Sequence, residues 1–321
     1  MRANELEFPK IIVITGPTAV GKSAVAMELA GRFGAEIISA DSRQIYRFLD
    51  IGTAKPTPDE RAAVPHHLID IVDPDEPYSV ANFKADADAV LRDLARRGRV
   101  ALLVGGSPHY VQAVVDRLEI PQVPPQTEFR REMEEYARLN GHDRLHQLLR
   151  DVDPEGADQI SATNVRRVIR ALEVHRVTGV PFSKVGRRRG KPLPALRIAI
   201  TTERGRLYQR IDERLDQQLR DGLLDETKQV LEMGYDASLP PLAGLVYREA
   251  VAIVRGEMGL DEGVRRMKET THAFARRQYI WFRKDQDLIW FEVGPHLVAQ
   301  VGGAISSYLE AADHKRSEVD S

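Results

Sequence analysis

Cysteine is absent from the sequence, which excludes disulfides, thiolate nucleophiles and cysteine-ligated zinc and fits a reducing cytoplasm. No apolar run approaches the roughly 18 residues that a membrane-spanning helix needs. The opening MRANELEFPK is charged throughout and lacks the apolar stretch of a signal peptide. A soluble, cytoplasmic protein with no membrane contact is expected. An excess of charge is missing too: charged residues make up 29% yet cancel to a net charge of -2. Bulk electrostatics therefore favours no polyanion, and any nucleic-acid site has to come from local clustering. Neither an internal repeat nor a coiled-coil or long apolar stripe is present, so a monomer is expected.

What is there is a chain of 321 residues with 42% hydrophobic content, enough for a core domain that carries a smaller second unit. Ile11 to Thr15 is short, β-branched and bounded by Gly16, the pattern of a buried parallel strand. Good helix formers follow from Lys22 to Phe33 and stop near Gly34, and Ala35 to Ala40 forms a second strand that runs into Asp41. Strand, helix and strand at this spacing make a βαβ unit. Further strands are expected at Val100 to Val104 and Leu196 to Thr201.

Between those two strands the periodicity turns helical, in TEFRREMEEYARLNG, RLHQLLRDV and NVRRVIRALEVHRVTG, with prolines 121, 124, 125, 192 and 194 at the ends. The expected division is a first part of the core at 1–117, a helical insertion at 118–194, a return to the core with C-terminal helices at 195–300, and a helix end with an unstructured tail at 301–321. A helical run is expected from Arg206 to Met233, and another long helix over EGVRRMKETTHAFARRQYIWFRK.

GPTAVGKS, Gly16 to Ser23, is a complete P-loop pattern in its strand-to-helix setting. It arises by chance in roughly one chain of this length in a hundred. The fold class is therefore α/β, a P-loop NTPase-like parallel sheet with flanking helices and an all-helical insertion. Gly16, Pro17, Thr18, Ala19, Val20 and Gly21 supply backbone N–H groups that converge on phosphate oxygens; Lys22 adds positive charge and the Ser23 hydroxyl suits Mg²⁺. The pattern alone leaves open a hydrolase, a kinase or another protein that grips a diphosphate. A hydrolase would place a second acid on a neighbouring strand, but VALLV ends in Gly105-Gly106-Ser107. Asp41 is the one acid well placed at a strand end. It serves there to bind Mg²⁺, to orient an acceptor, or to cap the next helix, and position alone does not choose.

The chain closely resembles the tRNA dimethylallyltransferases. The resemblance is carried by GPTAVGKSAVAMELA, EIISADSRQIYRFLDIGTAKP, PHHLIDIVDP, YSVANFKADA, NVRRVIRALEVHRVTG, LYQRIDERLD with the following GLLDE, and RRQYIWFRK, in family order to about Phe291. It implies transfer of a dimethylallyl group from dimethylallyl diphosphate to N6 of adenosine 37, beside the anticodon, in the anticodon stem-loop of tRNA, with Mg²⁺ as cofactor. The loop would then hold a leaving group, with Lys22 among the catalytic residues. Arg214 matches a family arginine on the same diphosphate, although by itself it reads equally as an exposed helix arginine. Asp41 matches the family's general base, with Asp41, Ser42, Arg43 and Gln44 contacting tRNA; Ser107 stands where the family usually has threonine and keeps the hydroxyl.

The stretch Thr163 to Lys191 holds Arg166, Arg167, Arg170, Arg176, Lys184, Arg187, Arg188, Arg189 and Lys191 against one acid, Glu173. A charge run is ordinarily a solvated face, but the resemblance assigns tRNA contacts to Arg166, Arg167 and Arg170, as it does to Arg130 and to Arg248 of the YRE segment. Val185 to Lys191 also reads as a flexible basic loop. His66-His67 reads as structural, because adjacent strand residues point to opposite faces, and Trp281 and Trp290 read as core or interface anchors. Two departures from the family concern the acceptor side: Pro108 and His109 follow Ser107, where they are expected to stiffen and enlarge a loop, and Val246, with Ala243 upstream, replaces a glycine before the tyrosine. The rival readings are a small-molecule kinase, a prenyltransferase of free adenine nucleotides, and a non-catalytic RNA-binding protein.

Overall fold

The computed structural model describes residues 8–185 and 191–319. Strands β1 (Ile11–Thr15), β2 (Glu36–Ser39), β3 (His66–His67), β4 (Ala101–Gly105), β5 (Ala195–Thr201) and β6 (Ile289–Glu292) form one sheet in the order β3-β2-β4-β1-β5-β6. Every pairing is parallel. Side chains alternate between faces. Ile12, Ile14, Leu102, Val104, Ile198 and Ile200 enter one buried cluster, and Ile11, Val13, Ala101 and Leu103 enter another on the opposite face. Because both faces are covered, the central strands read as unbroken apolar runs.

Helices α1 (Lys22–Phe33), α2 (Pro58–Ala63), α3 (Val80–Arg96) and α4 (Pro108–Val115) belong to the first half of the α/β unit. Phe83, Leu91 and Leu94 of α3 and Tyr110 and Val114 of α4 cover one face; Val25 and Leu29 of α1 cover the other. Pro108 opens α4 rather than stiffening a loop, a position where its missing N–H costs nothing.

Residues 116–192 form a separate compact unit, with 1–115 and 193–321 making up the other. It holds α5 (Thr127–Asn140), α6 (His142–Val152), α7 (Pro154–Gln159) and α8 (Val165–Thr178), and no strand among the described residues. Leu145, Leu149, Val168, Ile169 and Leu172 form its core. Buried Asp153 caps α7 through Gly156 N at 2.9 Å and accepts from Ser183 N at 2.7 Å. Arg187, Arg188 and Arg189, with the flexible-loop reading placed on them, lie outside the described residues.

The chain returns through α9 (Arg204–Arg220), α10 (Leu223–Glu232), α11 (Leu245–Val254), α12 (Leu260–Phe282) and α13 (Leu297–Val319). The single helical run expected over Arg206 to Met233 is two helices, broken at Gly222. Helix α13 continues to Val319, through residues expected to lack structure. Strand β3 is met only by the reading of His66-His67 as strand residues, and β6 has no counterpart among the expected strands. The first has two residues and the second lies at the sheet edge, too short or too exposed for a periodic signal.

Candidate active site

Strand β1 lies between β4 and β5, so the loop after it opens where successive connections leave in opposite directions, the crevice position of open α/β sheets. Gly16 has φ +140°, and a Cβ there would lie 2.4 Å from the Ile200 carbonyl oxygen. Only glycine fits both the backbone angle and the approach. Val20 turns its side chain into the core and serves the loop through its backbone.

A cleft of about 800 Å³ opens on this loop. Its walls include Thr18, Ala19, Gly21, Lys22 and Ser23 from the loop, Asp41, Ser42, Arg43 and Gln44 after β2, Ser107 after β4, and Arg214, Val246 and Arg248 from the later helices. Sequence-distant candidates thus meet in one place. Val246 is buried against the cleft, at the position where the resemblance leads one to expect glycine.

On the loop side, Lys22 Nζ donates to Pro17 O at 2.7 Å. Burial pushes the ammonium down to about 8; Asp41 opposes this and Arg214 adds to it. Arg214 donates to Thr18 Oγ1 at 2.9 Å, while its Nε is buried with no partner among the described residues. Burial lowers its pKa, against the pull of Asp41. Arg210, one helical turn earlier, sets a guanidinium nitrogen 3.2 Å from where a Gly21 Cβ would stand. Two desolvated cations and an arginine beside the N-terminus of α1 make a site short of negative charge.

On the other side, Asp41 Oδ1 accepts from Arg43 N at 2.8 Å, a tight turn that fixes the carboxylate. Of the three roles left open for Asp41, helix capping is not the one observed, since the residues after it form turns. Ser107 Oγ accepts from Ser42 N at 3.1 Å and donates to Ser42 Oγ at 3.3 Å, bringing its hydroxyl beside the aspartate segment. Arg43 donates to Pro240 O at 2.6 Å and Gln44 to Ala54 O at 3.0 Å, so both brace the rim of the cleft. Arg248 pairs with Glu249 and stays largely exposed. The DIGTAKP segment is held from beneath by Glu226, which accepts from Asp50 N, Ile51 N, Gly52 N and the Tyr247 hydroxyl at 2.6–3.2 Å.

Sequence reasoning missed Arg210, Phe274, Arg277 and Gln278, all of which line the cleft. Arg277 and Gln278 lie in the quoted RRQYIWFRK, but nothing in that stretch assigns them a role, and Arg210 lies in the quoted LYQRIDERLD at the i, i+4 spacing to Arg214 that marks one helix face. His66 and His67 are not a metal pair: His66 Nδ1 lies 2.7 Å from Val64 O, and His67 pairs with Glu36. Trp281 packs edge-on against His109, and Trp290 stacks on Tyr279.

In the helical unit, Arg166 and Arg167 are exposed on α8. Arg130 and Arg170 converge on fully buried Glu173: Arg130 donates through Nε at 2.7 Å and Nη2 at 2.8 Å, and Arg170 through Nη1 at 2.5 Å. Burial opposes ionisation of Glu173, but these bonds and the Gln126 N–H outweigh it and bring the pKa to about 2.

The family model described as IPP transferase matches residues 44–285, and one described as isopentenyl transferase matches residues 9–70. A tRNA dimethylallyltransferase from Thermomicrobium roseum is 44% identical over 283 residues, 88% of this chain and 86% of the relative. The chain belongs to the tRNA dimethylallyltransferase family. The solved full-length tRNA isopentenylpyrophosphate transferase of Bacillus halodurans matches it with TM-score 0.71 and 36% identity, covering 96% of this chain and 99% of that one. A eukaryotic dimethylallyltransferase acting on tRNA matches with TM-score 0.76 and 26% identity, over 95% and 80%. Both solved structures cover at least 95% of this chain, and the parallel sheet with flanking helices is consistent with that likeness.

Proposed function

We propose that this chain transfers the dimethylallyl group of dimethylallyl diphosphate to N6 of the adenosine at position 37 in the anticodon stem-loop of tRNA, releasing diphosphate. The observation that carries the reading is the meeting, in one cleft, of a cationic phosphate loop with Asp41 and Ser107.

The allylic C–O bond breaks and its electron pair stays on the diphosphate, whose negative charge grows as the bond lengthens. Loop N–H groups, Lys22 and Arg214 are in place to stabilise that charge without reorganising. The adenine N6 lone pair is delocalised into the ring and attacks poorly on its own. The carboxylate of Asp41 accepts a hydrogen bond from N6–H and then the proton as the N–C bond forms. Ser107, through its hydroxyl beside Ser42, orients the acceptor.

Mg²⁺ fits this donor set. Among the described residues no cluster of three acids or histidines could cage a metal, whereas Mg²⁺ characteristically takes one or two protein oxygens and fills its shell with water and substrate phosphate. Ser23 would hold it, and it would supply charge neutralisation on the leaving diphosphate.

The target base has to leave its stack to reach a carboxylate in a cleft, and the arginines of the helical unit supply the phosphate contacts such a substrate needs. An Asp41→Ala variant is expected to lose turnover at least a hundredfold while keeping tRNA affinity, measured by filter binding. Unchanged turnover would remove Asp41 from the mechanism.

A further inference from the structure

Gln278 lies on α12, nearly fully buried, and lines the cleft. Its amide faces two ways. The carbonyl Oε1 accepts from Thr18 N in the phosphate loop at 2.8 Å, and Nε2 donates to Gly106 O after β4 at 2.6 Å. The contact at Gly106 is close enough that a Cβ there would stand 2.5 Å from Nε2. Thr18 is also held by Arg214, and the residue after Gly106 is Ser107, bonded to Ser42 beside Asp41. Hydrogen bonds and the peptide link from Gly106 to Ser107 therefore connect Arg214 through Thr18, Gln278, Gly106 and Ser107 to the aspartate segment, with one side chain at the centre.

We propose that Gln278 is the positioning residue that fixes the separation between the donor and acceptor halves of the site, joining the phosphate loop to the Ser107 segment through opposite ends of one amide. The inference rests on the prenyl-transfer reading above. A primary amide is the side-chain group that offers a donor and an acceptor at this reach without charge. Glutamate keeps the shape and can still accept from Thr18 N, but turns an acceptor toward Gly106 O and repels it. Methionine keeps the volume and loses both bonds. Since an ångström of misplacement between reacting groups costs about a hundredfold in rate, the glutamate variant should fail in chemistry rather than in donor binding.

The test compares wild type, Gln278→Glu and Gln278→Met for kcat, KM of tRNA, inhibition by inorganic pyrophosphate, and thermal midpoint. Gln278→Glu is expected to lower kcat on the order of a hundredfold, with the pyrophosphate inhibition constant and KM of tRNA within about threefold of wild type. Gln278→Met is expected to weaken pyrophosphate as well. Wild-type kcat in Gln278→Glu overturns the inference, and so does a fall of all constants together with the thermal midpoint in both variants, which marks a residue that only maintains the fold. A wild-type protein that transfers nothing to tRNA sinks the prenyl-transfer reading itself, a result distinct from either.

Discussion

Lys22 shows at the scale of one residue how the cleft treats charge. Its ammonium sits desolvated near pKa 8 in the free protein, and a bound diphosphate favours the charged form, so the complex keeps the proton to higher pH. The contribution of Lys22 to binding is full below about 8 and shrinks as pH rises above it. Pyrophosphate titrates as well, so the clean quantity is the affinity ratio of wild type to Lys22→Met. That ratio is expected to be large at pH 7 and to narrow toward pH 9.5 in calorimetric titrations; a ratio flat across the range would contradict the assignment. That Lys22, Ser23 and Asp41 line one cleft was legible because each lies in or directly after a strand-bounded motif. Gln278 and Arg210 were not, because their meaning comes from packing against a loop some 190 or more residues away in sequence. A glutamine in RRQYIWFRK looks like helix surface until Thr18 and Gly106 are placed beside it.

Among the elements, β1, its loop and α1 form where the sequence places them, because fully buried apolar runs and a glycine-marked turn are strong local signals. The break at Gly222 was hidden, since one glycine inside a helical pattern does not say whether the helix tolerates it or ends there. Helix α8 shows a different kind of concealment. Its lone acid, Glu173, looks incidental in a basic run, yet it is the buried anchor for Arg130 and Arg170. Its pKa near 2 lies below the ordinary value of 4.5, so its stabilisation is fully present above pH 4.5 and is lost as pH falls toward 2. Acid titrations followed by circular dichroism should show wild type losing stability over that window and Glu173→Gln losing less, from a stability already lower by about 1–3 kcal/mol. Identical acid profiles would show that the pair carries no net stability.

At the scale of the whole molecule, the cleft on the Gly16–Ser23 loop lies in the α/β unit and the exposed arginines Arg166 and Arg167 lie in the helical unit. The near-zero net charge concealed the second feature, and the residue run revealed it. If these arginines meet tRNA phosphates, the double Arg166→Ala, Arg167→Ala variant should bind tRNA more weakly and lower the slope of log affinity against log salt by about 1 for each phosphate no longer neutralised. Pyrophosphate binding should stay at the wild-type value. An unchanged salt slope would return these residues to the status of a solvated face.

Nucleoside mass spectrometry is the most direct measurement of the central claim, made on purified protein with Mg²⁺ and dimethylallyl diphosphate, with unmodified tRNA and AMP as parallel acceptors. Dimethylallyl-adenosine in the tRNA digest and none on AMP is the expected result. Product on AMP with none in tRNA, or product on neither, would contradict the account.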